Sequence, residues 1–452
     1  MEMKSIYEPA RETPVAGEFD LCVIGGSCTG IFAAVRAARL GLKVAVVEKN
    51  ILLGGTATAA LVNEWHSLTD TDGRKIIGGL TAEVLDGLGR RGLVTEARKE
   101  GRGICRTFNS AEMALDLDRL ALDHGIRLFL QASCVAAVRE ADRVTAAIFE
   151  DKSGRRAIAA RFFIDASGDG DLLRQAGFGA WKDEVLQPVS YQMLAAGFGR
   201  VKGETGRSIW EQVRHRAADF DYPEANATPW INRFPAPGDV STIYGPRQNG
   251  CDASDADQST SAVLEGRRSL RALLDMVRQE LSPDVAAVSL AHALGIRETW
   301  HVRSLHRLGV GELLGGVVFP DAIAVGTYPV DVHSREGTVL RFLDGREQVV
   351  GRDGKVAWGR WRSESAEHPR CYHLPYRSLV PEGAENLLVA GRLIDADREA
   401  FGGVRVMVNM NQTGEAAGVA AFLALREGCR TADVPVARLR RTLADGGSLF
   451  PL

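Results

Sequence analysis

Apolar positions change their period repeatedly within the first fifty residues. Residues 21–24 form a short continuous apolar run, residues 31–40 repeat at helical spacing, and residues 44–47 form a second run that ends on Glu48. Short runs bounded by glycine predict buried strands, and the periodic stretch between them predicts a helix. Further along, Asn109-Ser110 with Glu112 caps a helical pattern through Met113, Leu115, Leu117, Leu120 and Leu122, predicting a helix over 109–125. Residues 127–138, 143–150 and 161–166 read as strands, with Lys152-Ser153-Gly154 as a hairpin turn. Residues 264–281 and 284–294 have helical spacing. Residues 340–361 alternate around Asp344-Gly345 and Asp353-Gly354, which predicts a β-meander. Residues 386–391 read as a buried strand ending on Gly391, and 412–425 as a helix whose Ala/Gly face permits very close packing.

The texture of the chain divides it. Residues 1–18 are a polar arm with two prolines. Residues 19–186 and 371–452 share the alternation of apolar strand and small-residue helix, and 187–370 is richer in proline, tryptophan and polar loops, of which 229–238 is one. This predicts a nucleotide-binding domain in two parts around an inserted substrate domain. The tryptophans of the middle part fit core packing and ligand stacking equally. A chain of 452 residues can bury a large core. The net charge of −3 gives no electrostatic argument for nucleic acid. No apolar run approaches the roughly 18 residues of a membrane helix, and residues 1–18 lack a leader's apolar core, so a cytoplasmic protein is expected. Seven cysteines, widely spaced and without a CxxC pair, predict reduced thiols rather than disulfides or zinc. His292, His301 and His306 have helix-like spacing but no clustered cysteine or carboxylate, so no metal site is expected.

The turn between the first strand and helix carries chemistry. Gly25-Gly26-Ser27-Cys28-Thr29-Gly30 has the form of a dinucleotide-binding turn, with Ser27 where the pattern has its middle glycine. Small residues let backbone approach a pyrophosphate, and the following helix offers its free N–H groups and positive dipole end to that anion. Glu48, at the end of the second strand, can accept hydrogen bonds from ribose hydroxyls.

Several phrases extend this reading: Gly54-Gly55-Thr56-Ala57-Thr58, Leu61 to Leu68, Ile164 to Asp171, Gly295 to Glu298, Tyr328 to His333, Leu374 to Pro381 and Asn386 to Arg392. Through them nearly the whole chain resembles the bacterial FAD-dependent oxidoreductase family. That resemblance implies an α/β fold: a glutathione-reductase-like FAD-binding Rossmann domain, with parallel sheet and β-meander, and an inserted α+β substrate domain. It implies FAD as cofactor. Gly25, Gly26, Ser27 and Gly30 would line its pyrophosphate, with Cys28 and Thr29 beside them. Glu48 would hold the adenosine ribose with Lys49 nearby, and Gly54, Gly55, Thr56, Ala57 and Thr58 would pass along pyrophosphate and flavin. Val135 would meet adenine through backbone, and Ala166, Ser167 and Gly168 would close the adenosine end. Gly391 and Arg392 would reach the ribityl chain, although relatives of the broader fold carry Gly-Asp there, so Asp395 or a backbone group must substitute. Val408, Asn409 and Met410 would begin a helix aimed at the flavin pyrimidine, where its dipole stabilises the reduced ring's charge.

Disulfide reductases of this fold place a cysteine pair just after the Gly-Gly-Thr turn, and here that place reads Ala57-Thr58-Ala59-Ala60. Nor is there a convincing second glycine motif for a nicotinamide domain. The remaining chemistry is hydride or electron exchange with a small organic molecule, which needs a base when a hydroxyl or amine is oxidised. Candidates are His66, His333 and His373, with Tyr376 a lesser one. Trp65 is placed to wall the flavin, and Arg297, Arg377 and Arg405 are candidate carboxylate clamps. A flavin monooxygenase and a non-catalytic FAD-fold binding protein are the alternatives. The sequence leaves the external electron acceptor or donor, and any oligomer, open.

Overall fold

The computed structural model describes residues 5–201, 206–223, 228–351 and 354–450. A mixed α/β sheet is its centre. Strand β1 (Val15–Ile24) leads through a turn into helix α1 (Cys28–Arg39), which returns to strand β2 (Val44–Glu48). Leu21 to Ile24 pair in parallel with Val44 to Val47, and β2 pairs in turn with Arg127–Leu130. On its other side β1 runs parallel to the long strand β3 (Gly154–Asp165). The first half of β3 closes an antiparallel meander with Arg143–Asp151 and Ser133–Glu140. Its second half receives β4 (Leu387–Val389) in parallel, so the end of the chain returns to the sheet where the beginning started it.

Helix α2 (Met407–Glu427) lies against α1. The contact is as close as the small-residue face predicts: a side chain at Gly414 would run into the Thr29 carbonyl, and one at Gly418 into that of Ala33. Arg36 of α1 and Glu415 of α2 form a buried ion pair across this seam, and Arg36 also donates to the Gly446 carbonyl.

A second apolar cluster gathers residues 189–294 with Leu61. Its sheet is antiparallel, ordered Trp230–Arg233, Val240–Tyr244, Gln192–Ala196, Ala286–Leu290, with helix Ala256–Glu280 packed on it. Val302, Leu313, Val325 and Val330, although inside the 187–370 stretch, pack in the first core. A meander of Val330–His333, Gly337–Arg341, Arg346–Gly351 and Val356–Arg360 follows. Of its two expected turns, the second includes Asp353, outside the described residues.

Three local expectations are corrected. Residues 284–294 are not helical: Ala286–Leu290 is an edge strand on Gln192–Ala196. After Pro283 the segment is too short to repay helix nucleation, and a sheet edge offers hydrogen bonds immediately. The single strand expected over 127–138 is broken at Gln131, whose φ is 52°, and Ala132 donates to the Glu48 carbonyl. The proline-rich run from 229 to 238, expected as loop, contains the strand Trp230–Arg233. No helix among the described residues is long and apolar enough to cross a membrane.

Candidate functional site

The β1–α1 turn opens onto a cavity of about 1410 Å³. That exceeds the roughly 300–1,000 Å³ of a pocket for one small ligand, leaving room for a dinucleotide and a second molecule. Gly25 makes the turn with φ +99°, and a side chain there would strike the Ala166 carbonyl. Ser27 is the N-cap of α1: its Oγ accepts from the Gly30 N–H at 3.2 Å. The residue that departs from the glycine pattern thus secures the helix end itself. The Gly26 N–H donates to Glu48 Oε2 at 2.6 Å, while Asn50 donates to Oε1 from backbone and side chain, at 2.7 Å each. Glu48 is therefore held in place at the cavity wall. The second glycine turn is laced to the first, with Gly54 N–H donating to the Gly26 carbonyl at 2.8 Å and the Cys28 thiol to the Gly54 carbonyl. Burial pushes the Cys28 thiol up to about 12, so it is no thiolate.

Most of the expected cofactor residues meet on this wall: Gly25, Ser27, Cys28, Thr29, Glu48, Lys49, Gly54, Gly55, Thr56, Ala166, Ser167, Gly168, Gly391, Arg392, Val408 and Met410. Six do not line it. Gly26 and Gly30 stand behind the turn. Ala57 is buried beneath the second turn, with Thr58, whose hydroxyl donates to the Leu53 carbonyl. Val135 sits in the meander, and Asn409 turns inward to donate to Tyr372 and the Gly403 carbonyl. Arg392 reaches Asp169 at 2.6 Å and Thr299 at 2.7 Å, and Lys49 reaches Asp169 from the other side at 3.0 Å. Burial opposes ionisation of Asp169, but Arg392 and Lys49 overcome it and hold the carboxyl well below its usual range. Asp395 cannot substitute for the missing Gly-Asp acid: its oxygens accept from Trp181 and Ser304, away from the cavity.

The far half of the cavity is built differently. Asp331 and His333 come from the strand Val330–His333, Tyr328 from just before it, and His66 and Trp65 from the segment after the second glycine turn. Tyr328 donates to Asp331 Oδ2 at 2.6 Å and stacks on His66, ring centroids 4.4 Å apart. His333 Nε2 faces Asp331 Oδ1 at 3.3 Å, and Nδ1 lies 2.9 Å from the Thr338 hydroxyl, to which Arg247 donates at 3.1 Å. Burial opposes the charge on Asp331, yet His333, Arg405 and Arg102 hold it well below the usual carboxylate range. His333 is pushed down to about 3, first by burial and then by Arg247 and Arg297 against the pull of Asp331. A neutral ring beside a carboxylate keeps its proton on Nε2, so Nδ1 accepts from Thr338. Nδ1 is thus tied to Thr338, while Nε2 only lies against Asp331 Oδ1, which accepts no hydrogen bond among the described residues, so His333 braces Asp331 by packing. His66 is likewise pushed down to about 3, by burial and then by Arg102 and Lys99. Its Nδ1 lies 3.4 Å from the Ser67 hydroxyl, and the ring faces the cavity. Burial and Asp331 raise the Tyr328 phenol to about 12, so it stays protonated.

Other candidates lie elsewhere. His373 is buried in the strand Tyr372–Pro375, opposite Val325, and does not line the cavity. Tyr376 donates to the Thr431 carbonyl, and Arg377 pairs with Asp321 at 3.0 Å. Arg297 and Arg405 do line the cavity. His301 does have carboxylate neighbours, contrary to the linear spacing: Glu298, 3.1 Å from its Nε2, and Asp183, their ligand atoms all within 4.8 Å. Its Nδ1 bonds the Ile394 carbonyl and Glu298 also accepts from Gln187, so hydrogen bonding within the protein accounts for this buried group. Arg102, Arg247, Tyr328, Asp331 and Thr338 escaped the sequence as site residues. Tyr328 and Asp331 lie in one of the family phrases, but nothing near Arg102 or Arg247 marks them.

The sequence model of the family described as FAD dependent oxidoreductase matches residues 20–443. A stretch of 57 residues is 51% identical to mitochondrial dihydrolipoyl dehydrogenase of Schizosaccharomyces pombe, 11% of either chain. Another of 42 residues is 57% identical to dihydrolipoyl dehydrogenase of Bacillus subtilis, 9% of either chain. The chain thus spans about a tenth of the length of these curated relatives. Among solved structures, a geranylgeranyl bacteriochlorophyll reductase-like protein of Thermoplasma acidophilum is 12% identical with a TM-score of 0.48, covering 96% of this chain and 84% of its own. A p-nitrophenol 4-monooxygenase of Pseudomonas putida is 10% identical with a TM-score of 0.44, covering 95% and 86%.

Proposed function

The chain belongs to the FAD-dependent oxidoreductase family, and on that premise we propose that it exchanges hydride or electrons between FAD and a small organic substrate lodged beside His66, Tyr328 and Asp331. The observation that carries this reading is the single cavity that joins the glycine turns to that polar cluster. The residues present fit the cofactor. The turns are stripped of side chains where a pyrophosphate would lie, and α1 and α2 both open on the cavity with their N-terminal ends. The backbone at Ser27, Thr29, Gly54 and Gly55 would hold the phosphates, and Glu48 the ribose. Arg392, Val408 and Met410 would flank the flavin end. When bound, FAD supplies two-electron hydride chemistry at its ring.

The chain's own groups do the rest. His66 presents a neutral imidazole to the cavity, a weak base while burial, Arg102 and Lys99 hold it at about 3, and can accept a hydrogen bond from a substrate hydroxyl or amine. Tyr328 stacks on that ring and fixes its orientation. Asp331 anchors Tyr328 and is braced by His333. Trp210, Ala217, Ile231 and Leu294 of the second apolar cluster line the cavity, and their low polarity strengthens charge interactions inside. In this reading the strand order supports a glutathione-reductase-like cofactor lobe from 19–186 and 371–452. Residues 302–330 join its core, and residues 189–294 form the substrate lobe. The enzyme is cytoplasmic and uses no redox disulfide.

The test is anaerobic titration of the purified yellow protein with a panel of small hydroxy acids, amines and alcohols. Bleaching by one class without NAD(P)H is expected. A colourless protein that takes up no FAD overturns the proposal, and turnover only with NAD(P)H and oxygen replaces it with a monooxygenase. Glu48→Ala should weaken FAD binding by about 10–100-fold, the loss of charge-assisted acceptors. Unchanged flavin content in that variant would remove Glu48 from the cofactor site.

A further inference from the structure

Besides Arg214, four guanidinium groups that all feel the charge of Asp331 line the substrate half of this cavity: Arg102, Arg247, Arg297 and Arg405. Lys99, also on the wall, is closed by Glu64 at 2.5 Å. Among the described residues Asp331 is the carboxylate left to face the four, and only Arg405 is ion-paired to it, at 3.4 Å. Their hydrogen bonds are few for groups with five donors each. Arg247 donates to the Thr338 hydroxyl, and Arg297 to the Pro188 carbonyl at 2.8 Å. The Nε of Arg405, whose side chain is 10% exposed, is buried without a partner. Arg102 shows no side-chain hydrogen bond among the described residues and lies over the Tyr328 ring.

Like charges this close strain one another. Arg297 is driven down to about 9, by burial and then by Arg405 and Arg247, and Arg247 is lowered by burial and, beyond the pull of Asp331 and Tyr328, by Arg102 and Arg405. The same positive field reaches His66. A folded protein keeps such a surplus where a ligand neutralises it. The glycine turns at the opposite end already account for a pyrophosphate, so this surplus calls for a different anion.

We propose that the substrate is a small organic dianion, a dicarboxylate, held between Arg102, Arg247, Arg297 and Arg405. This rests on the reading of that half as the substrate site. Two carboxylates with Asp331 bring four cations close to balance. Guanidinium forks meet carboxylates through paired N–H donors, which suits planar organic acids. Neutralising Arg102 also relieves the field on His66, so a bound dianion makes that imidazole a better proton acceptor.

The test is calorimetry on the FAD-loaded protein with oxalate, malonate, succinate and glutarate, with succinate monomethyl ester, succinamide and sulfate as comparison arms. At least one dicarboxylate should bind about tenfold or more tightly than the charge-stripped compounds and than sulfate, and the affinity should fall as salt rises. Arg102→Gln and Arg297→Gln should each weaken it by about 10–100-fold. Because each removes a repelling charge, neither should lower the melting temperature of the substrate-free protein, a readout that a purely structural arginine would move. No binding by any dicarboxylate overturns the proposal, as does succinamide binding equal to succinate. Sulfate binding as tight as the best dicarboxylate assigns the arginines to inorganic oxyanions and overturns it too. An uncharged compound that reduces the flavin equally in wild type and Arg102→Gln sinks the dianion but leaves the oxidoreductase standing. A protein without FAD sinks the oxidoreductase, while calorimetry on the colourless protein still judges the arginines.

Discussion

On the reading proposed above, the two halves of the cavity meet the same demand, holding an anion out of water, with opposite materials. The cofactor half uses backbone: Gly25, Gly54 and Gly55 expose main chain, Ser27 caps α1 through its own hydroxyl, and Glu48 is locked by Gly26 and Asn50. Its donors are fixed partial charges that cost little to bury. The substrate half uses full charges on long side chains, Arg102, Arg247, Arg297 and Arg405, balanced incompletely by Asp331. A backbone nest is stable when empty. An arginine cluster is strained until an anion neutralises it, and under the dianion proposal that strain becomes selectivity for a charged substrate.

The comparison breaks if the halves do not separate under mutation. Asp331→Asn has the largest expected effect. It removes the carboxylate that Tyr328, His333 and Arg405 share, and should destabilise the protein by about 3–5 kcal/mol, the cost of leaving buried charge unpaired. Flavin content per folded molecule should stay at the wild-type level. If flavin affinity falls as steeply as the urea midpoint, the halves are one unit.

Acid should act on the substrate half first. His333 takes up its proton near pH 6.5 in an unfolded chain but only near 3 when folded. Between those values the unfolded state binds more protons. The stability contribution is thus whole above about 6.5 and falls with pH by about 1.4 kcal/mol per unit for this group. Urea midpoints at pH 7, 6 and 5 should show the decline, and His333→Gln should reduce its slope by this one group's share, His66 keeping its own. An equal slope in both proteins would remove His333 as its source.

Ser27→Gly has the smallest expected effect. It restores the glycine pattern, and glycine at an N-cap costs only about a few tenths of a kcal/mol. Melting temperature and flavin affinity should barely move. A marked loss of flavin would show that the Ser27 hydroxyl serves the cofactor as well as the helix.

Legibility follows the same division. The β1–α1–β2 unit, the Asn109 cap, the Lys152–Gly154 hairpin and the close-packing face of α2 were all readable, because glycine, capping residues and periodicity act within a few positions of themselves. Where context decided, reading failed. Residues 284–294 took a free sheet edge instead of a helix, and Gln131 broke a strand to let Ala132 bond β2. His66, His333 and His373 were equal in sequence. Packing put two in the cavity, turned His333 into a brace and sent His373 into a strand.

The sequence by itself determined the family, FAD as cofactor and the residues of the wall proposed to receive it, since a dinucleotide turn is written in contiguous backbone-shaping residues. Of the other half the sequence named His66, His333, Arg297 and Arg405 singly, and only the tertiary structure decided what stands together there. Arg102, Arg247, Arg297 and Arg405 arrive from four distant segments and meet Asp331 from a fifth. No local pattern records that convergence, because a charge's partner is set by where the fold brings it.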